Sequence, residues 1–261
     1  MATGIGAGIS PVFDLKPGTP APAPACTTDY SLAFDGLTEY GDITSGGPVL
    51  GTNGSGSFTI TLWLKAVTGG SFWIINAAGA TGSLQGNYAL RVLPNSVLSF
   101  RSAGGTGVSG NVNVGGVSIS NNTWELVSLV IDTPNKTGVF YNNITPGPVS
   151  NLGLRDVIFV ANPDWELGRS SVGGYLKGNI CHFAIWNDAL TASQIGELYG
   201  NTGAKCYASD FSFSSKLQNY YPTFNPTGTY TDPLTDIVSG LNIKLVNMSA
   251  TNVSTDHPSQ L

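Results

Sequence analysis

The stretch Leu167–Tyr199, LGRSSVGGYLKGNICHFAIWNDALTASQIGELY, constrains the fold of this chain more than any other. A glycine-rich turn leads into a run from Lys177 to Asn187 that is apolar at both parities. Ile180, His182, Ala184 and Trp186 fall on one side, and Cys181, Phe183 and Ile185 on the other. A strand apolar on both faces is buried on both. Asn187-Asp188 then breaks the strand. Thr191 and Gln194, three residues apart, form a reciprocal capping box. Ile195, Leu198 and Tyr199 give the following helix a single apolar face, and Gly200 is expected to stop it in the left-handed conformation. One short helix beside a doubly buried strand predicts a β-sandwich with one accessory helix.

The rest of the chain agrees with an all-β reading. There are 34 glycines and only 10% charged residues, and short apolar runs alternate with turn clusters. Strands are predicted at 30–34, 58–66, 72–75, 88–93, 97–101, 126–132 and 138–141. Leu93-Pro-Asn-Ser-Val97 and Asp132–Thr137 are tight turns, and 103–116 is a long Gly/Ser/Asn loop of the kind that gathers at a sandwich rim. At 261 residues a single sandwich accounts for the chain. A net charge of −5 with scattered Lys and Arg argues against a nucleic-acid surface. No apolar run approaches the roughly 18–20 residues of a membrane-spanning helix.

Four segments, in order, resemble a known family. Tyr30-Ser-Leu-Ala-Phe-Asp-Gly-Leu-Thr-Glu-Tyr40 resembles its opening strand and Asp-Gly turn. Phe58-Thr-Ile-Thr-Leu-Trp-Leu-Lys65 is similar to its F-T-I-x-x-W-x-K strand, and Trp124 through Asn143 to its W-x-x-V-x-x-V-x-D … Y-x-N hairpin. The stretch Leu167–Tyr199 resembles its closing strand and helix. These are the motifs of laminin-G-like domains in the concanavalin A-like jelly-roll superfamily, over roughly residues 28–200. The resemblance implies a concanavalin A-like jelly-roll β-sandwich with one short accessory helix. It leaves the activity open, because lectins, adhesion modules, glycosidases and virion proteins share the scaffold.

On this basis the chain divides into an arm at 1–26, a laminin-G-like jelly roll at 27–206, and an extension at 207–261 packing on the same sandwich. Lys16–Cys26 is a Pro-Ala spacer of extended polyproline II type, rising about 3 Å per residue. Behind it sits the short apolar hook Val12-Phe13-Asp14-Leu15. The extension resembles a trailer found in laminin-G-like proteins of tailed phages, down to Ser254-Thr-Asp-His-Pro258. Residues 1–10 show neither a basic n-region nor a continuous apolar stretch, which predicts synthesis without a secretory signal. Together these features lead to the expectation of a virion structural or accessory protein, a capsid decoration or tail component. Its partners would be other virion proteins, docked through the arm; glycans are a further candidate contact, a homo-oligomer is compatible, and neither nucleic acid nor membrane insertion is expected. The alternatives are a free carbohydrate-binding, lectin-like module or a cell-surface adhesion subunit.

The three cysteines form a poor disulfide framework. Cys181 reads as a core residue. Cys26 and Cys206 would be neighbours in a jelly roll with adjacent terminal strands, and are candidates for a bridge that cytosolic synthesis disfavours. No enzymatic constellation is legible. Glycosidases need two carboxylates about 5–9 Å apart, and Glu39, Glu125, Glu166 and Glu197 stand isolated, so the catalytic set is read as empty. The resemblance allows Ca²⁺ at a rim, with Asp35, Asp42, Asp132, Asp164 and Asp188 as the available hard ligands, but their spacing forms no recognisable loop, and no metal ligand or other cofactor is assigned. For glycan contact, Trp63, Trp124 and Trp186 take core positions of the family and Trp73 is ambiguous. Asp164 and Trp165, at a loop-to-strand junction, are the candidate ligand-binding pair, although a tryptophan packed under a loop reads equally well.

Overall fold

The computed structural model describes residues 30–43, 47–51, 56–78, 88–103, 111–153, 164–170, 173–200, 211–222 and 233–258. Residues 1–26, with the proposed arm and Cys26, lie outside the described residues, as does Cys206. Among the described residues the strands are β1 (Ser31–Asp35), β2 (Tyr40–Ile43), β3 (Phe58–Ala66), β4 (Phe72–Ala78), β5 (Tyr88–Val92), β6 (Val97–Ala103), β7 (Asn111–Ser118), β8 (Trp124–Asp132), β9 (Thr137–Asn142), β10 (Thr145–Pro146), β11 (Ser150–Asn151), β12 (Asp164–Leu167), β13 (Lys177–Trp186), β14 (Leu217–Tyr221), β15 (Lys244–Val246) and β16 (Val253–Ser254). The helix α1 spans Ala192–Tyr199.

The strands form two antiparallel sheets. One runs β10-β9-β8-β3-β13-β1-β16, with β11 added beside β9 and β14 beside β13; the other runs β15-β2-β12-β4-β5-β6-β7. This is the all-β sandwich with one short helix that the sequence predicts. Leu32, Phe58, Ile60, Leu62, Leu129, Phe140, Ile180 and Ile185 from the first sheet meet Ile75, Tyr88, Leu90, Phe100, Trp165 and Leu167 from the second in one buried core. Alternation along each strand puts these residues on the inner faces.

The nine-stranded sheet is buried on its outer face as well. There Trp63, Leu126, Cys181, Ala184 and Trp186 pack under Ile195 and Leu198 of α1 and under Phe211, Phe213 and Leu217. Two of the polar positions on that face are bonded, Thr61 Oγ1 accepting from Trp186 Nε1 at 3.0 Å and Thr59 Oγ1 donating to the Asp188 carbonyl at 2.8 Å, whereas Trp63 Nε1 and Ser128 Oγ are buried without a hydrogen bond. The apolar outer parity of β13 is therefore matched to the helix, while β3 adds Trp63 beside Thr59 and Thr61 on the same face. Cys181 is a buried free thiol, its pKa pushed up by burial.

Three local expectations are corrected. The two parities of β13 do not run through the whole strand. Ile180 faces the sandwich, but so do Phe183 and Ile185, while Cys181, Ala184 and Trp186 face the helix. A bulge between Cys181 and Ala184 inserts one residue opposite β3, and His182 takes a left-handed φ of 50° to accommodate it. Gly200 remains right-handed (φ −67°, ψ −9°), its N–H bonded to the carbonyls of Gly196 and Leu198, so α1 ends without a left-handed cap. The predicted loop 103–116 is in part strand: Asn111–Ser118 pairs with β6. The capping box at Thr191 and Gln194 is present as read.

The segment after residue 210 contributes to both sheets. Strand β14 extends the β13 edge beyond β1, β16 pairs with β1, and β15 pairs with β2. Asp236 joins these pieces, accepting from the Tyr220 amide at 2.9 Å, the Val238 amide at 2.9 Å and Asn219 Nδ2 at 2.6 Å.

Candidate functional site on the outer face of the seven-stranded sheet

The two sheets differ in what their outer faces carry. On that of the seven-stranded sheet the strands themselves present polar and aromatic side chains. Cross-strand register aligns Lys244, Asp42, Glu166, Asn76, Ala89, Arg101 and Asn113 in one line across all seven strands. A second line, Trp73, Arg91, Ser99 and Gly115, runs beside it over β4 to β7. The alternation that buries Tyr88, Leu90, Leu98, Phe100, Trp165 and Leu167 turns these residues outward.

Glu166 anchors the middle of the face. It is 8% exposed, and Asn76 beside it 7%. One carboxylate oxygen accepts from Arg169 through Nε at 2.7 Å and Nη2 at 2.6 Å, and the other from Asn76 Nδ2 at 3.1 Å. Arg169 lies flat over the Tyr40 ring, 3.4 Å from its centroid. Burial disfavours the charged guanidinium, but the Glu166 carboxylate outweighs it and holds the Arg169 pKa above its ordinary value. A buried charge paired and stacked in this way is fixed in orientation.

Trp73 and Arg91 form the second cluster. The Arg91 guanidinium sits over the half-buried Trp73 ring, 5.4 Å from the centroid. The ring is seated against Gly174, whose φ is +88° and where any Cβ would lie 3.0 Å from Trp73 Cδ1. The face thus offers planar groups, amides and charges, all carried on paired strands.

Of the candidate pair read from the sequence, the structure separates the two members. Asp164 is half-buried at the start of β12, on this outer face. Trp165 points the other way and is fully buried. Its Nε1 donates to Tyr88 Oη at 2.8 Å, and its ring stacks on Phe183 at 5.4 Å between centroids. Burial raises the Tyr88 hydroxyl pKa well above its ordinary value. Trp165 is therefore an inter-sheet core residue with no face to offer a sugar. The junction read at Asp164-Trp-Glu166 is a strand inside the sheet, and its alternation sends Trp165 inward.

The aspartates considered for Ca²⁺ are dispersed. Asp35 Oδ1 accepts from the Leu37 and Thr38 amides, Asp132 is bonded to Asn135, and Asp188 pairs with Lys216 at 2.9 Å. Asp42 and Asp164 lie on the outer face. Among the described residues no group of three or more His, Cys, Asp or Glu side chains could hold a metal ion.

Arg91, Arg101, Asn76 and Arg169 did not emerge from the sequence as site residues, and Trp73 emerged only as ambiguous. The signal was present in Tyr-Ala-Leu-Arg-Val and Val-Leu-Ser-Phe-Arg, where each arginine takes the parity opposite the large apolar residues.

A family model described as the concanavalin A-like lectin/glucanases superfamily matches residues 36–196. No curated protein is matched by the sequence. Among solved structures, a protein of Bacteroides ovatus ATCC 8483 provisionally described as carbohydrate binding aligns at 17% identity with a TM-score of 0.57. The alignment covers 87% of this chain and 59% of that one, so the chain spans less than two thirds of that structure. The heptameric SAP-like pentraxin of Limulus polyphemus aligns at 16% identity, over 69% of this chain and 83% of its own, with a TM-score of 0.47. The CBM40 of the Ruminococcus gnavus IT-sialidase aligns at 14% identity, over 63% and 98%, also at 0.47. At 17% identity the likeness to the Bacteroides ovatus protein is one of fold.

Proposed function

The chain belongs to the concanavalin A-like lectin/glucanases superfamily, and from that premise we propose that it is a non-catalytic carbohydrate-binding module whose contact surface is the outer face of the seven-stranded sheet. The observation that carries this reading is the cross-strand line from Lys244 to Asn113, flanked by Trp73 and Arg91. Sugars present apolar C–H faces and a rim of hydroxyls, and are held by planar side chains together with a few fixed donors and acceptors. Ser99 and Asn113 supply hydroxyl and amide groups of that kind, on strands that need no ordering when ligand binds.

A binding role is favoured over hydrolysis by the state of Glu166. Both of its oxygens are occupied, one by Arg169 and one by Asn76. A carboxylate held in that way is poorly placed to deliver a proton to a glycosidic oxygen.

The test is an immobilised glycan panel probed with the full chain and with Trp73→Ala. Saturable binding to at least one glycan, weakened about 10-fold or more by the substitution, is the expected result. Equal binding by the variant would move the site elsewhere on the sandwich. Carriage on a virus particle is a separate proposal, made from the sequence of residues 1–26 and of the C-terminal extension. Mass spectrometry of purified particles tests it, with a fixed copy number expected and absence from particles counting against it.

A further inference from the structure

Resting on that reading of the outer face, we infer that the glycan this chain binds is acidic, carrying a carboxylate or sulfate group that docks on Arg91. The chain has a net charge of −5 and only four arginines, at 91, 101, 155 and 169. The arginines among the described residues, Arg91, Arg101 and Arg169, all stand on this one face. Arg169 is committed to Glu166. Arg91 is placed differently. The register puts Trp73 opposite it on β4 and Ser99 opposite it on β6, and neither is an acid. Its Nε is buried and makes no hydrogen bond. The side chain as a whole is half-buried, so it is a cation that no carboxylate opposite it on β4 or β6 balances, and an anionic oxygen reaching its outer edge is the partner that balances it best.

The surroundings fit such a partner. Arg101, on the neighbouring strand, is the diagonal neighbour of Arg91, at a spacing of about 7–8 Å for that position. Arg101 thus brings a second positive charge to the strand next to Arg91. Trp73, fixed against Gly174, keeps the Arg91 plane from rotating freely. A guanidinium presents a two-pronged edge matched to a carboxylate or sulfate. The Ser99 hydroxyl on β6 and the exposed Asn113 amide on β7 stand on the same face to meet hydroxyls of the ring.

The experiment uses the full chain on a panel in which each neutral oligosaccharide is paired with carboxylated and sulfated counterparts. Arg91→Ala, Arg91→Lys and Arg101→Ala are run in parallel, at low and high salt. The inference predicts binding confined to acidic members and weakened by added salt. It predicts an affinity about 10–100-fold lower in Arg91→Ala and a substantial loss in Arg91→Lys, which keeps the charge and lacks the fork. The carboxylated and sulfated arms identify the source of the anion. Binding to neutral members that Arg91→Ala leaves unchanged would overturn the inference while leaving the carbohydrate-binding reading intact. Binding to no member would overturn both. Circular dichroism of the variants separates lost contact from lost fold, and a folded Arg91→Ala with undiminished binding to acidic members would also overturn the inference.

Discussion

His182 is the residue whose position least resembles its sequence context. It sits in a strand, yet its left-handed φ of 50° creates the bulge that switches the faces of β13. Its Nδ1 lies 2.7 Å from Tyr220 Oη, and the two rings stack at 6.0 Å. Burial, with a smaller effect from His257, lowers its pKa from 6.5 to about 4. The unfolded chain therefore binds a proton between these values that the folded chain refuses. Stability falls as pH drops from about 6.5 to about 4 and the contribution levels off below, a change of about 3 kcal/mol at ~1.4 kcal/mol per unit. His182→Asn tolerates the backbone and does not titrate. Denaturant unfolding at several pH values is expected to show the wild-type slope over this window reduced in the variant. Equal slopes would mean that His182 is not the titrating group. Alternation alone could not reveal the bulge, because an inserted residue leaves the composition of the strand unchanged. The burial of Trp165 escaped for a related reason: a one-residue slip in register decides whether a tryptophan faces solvent or core, and the four residues of β12 do not fix that register by themselves.

Among the elements, those with local signals were the most legible. The α1 capping box was readable because it depends on two side chains three residues apart, and both reciprocal bonds are present. Thr191→Ala should cost about 1 kcal/mol, lowering Tm by about 2–4 °C for a domain of this size. A melt unchanged by the substitution would show that α1 is held by its packing on Trp63 and Trp186 alone. Strands with a strong apolar alternation, such as β3, β5, β6 and β8, were also legible. Strands β2 and β7 were not. Tyr40-Gly-Asp-Ile and Asn111-Val-Asn-Val-Gly-Gly-Val-Ser are rich in turn-forming residues, and only pairing to a neighbour makes them strands. The candidate site depends on this same non-local step. Arg91, Arg101, Asn76 and Glu166 lie apart in sequence, and register alone brings them onto one face.

For the whole molecule, the asymmetry between the two outer faces is the organising feature. The nine-stranded sheet hides its outer face under α1 and residues 211–217, while the seven-stranded sheet keeps a polar, aromatic and arginine-bearing face. The C-terminal segment belongs to both sheets, and Asp256 ties its end down. Burial would raise the Asp256 pKa, but Lys65 at 2.7 Å and Trp124 Nε1 at 2.9 Å hold the carboxyl below its ordinary value. The rigid core thus backs the face proposed as the contact surface. Hydrogen–deuterium exchange of the full chain, with and without the tightest glycan from the panel, tests this most directly. The account predicts added protection in β4, β5, β6 and β12, with α1, β8 and β9 unchanged. Protection confined to α1 or to the β9 edge, with none in β4 to β6, would contradict it.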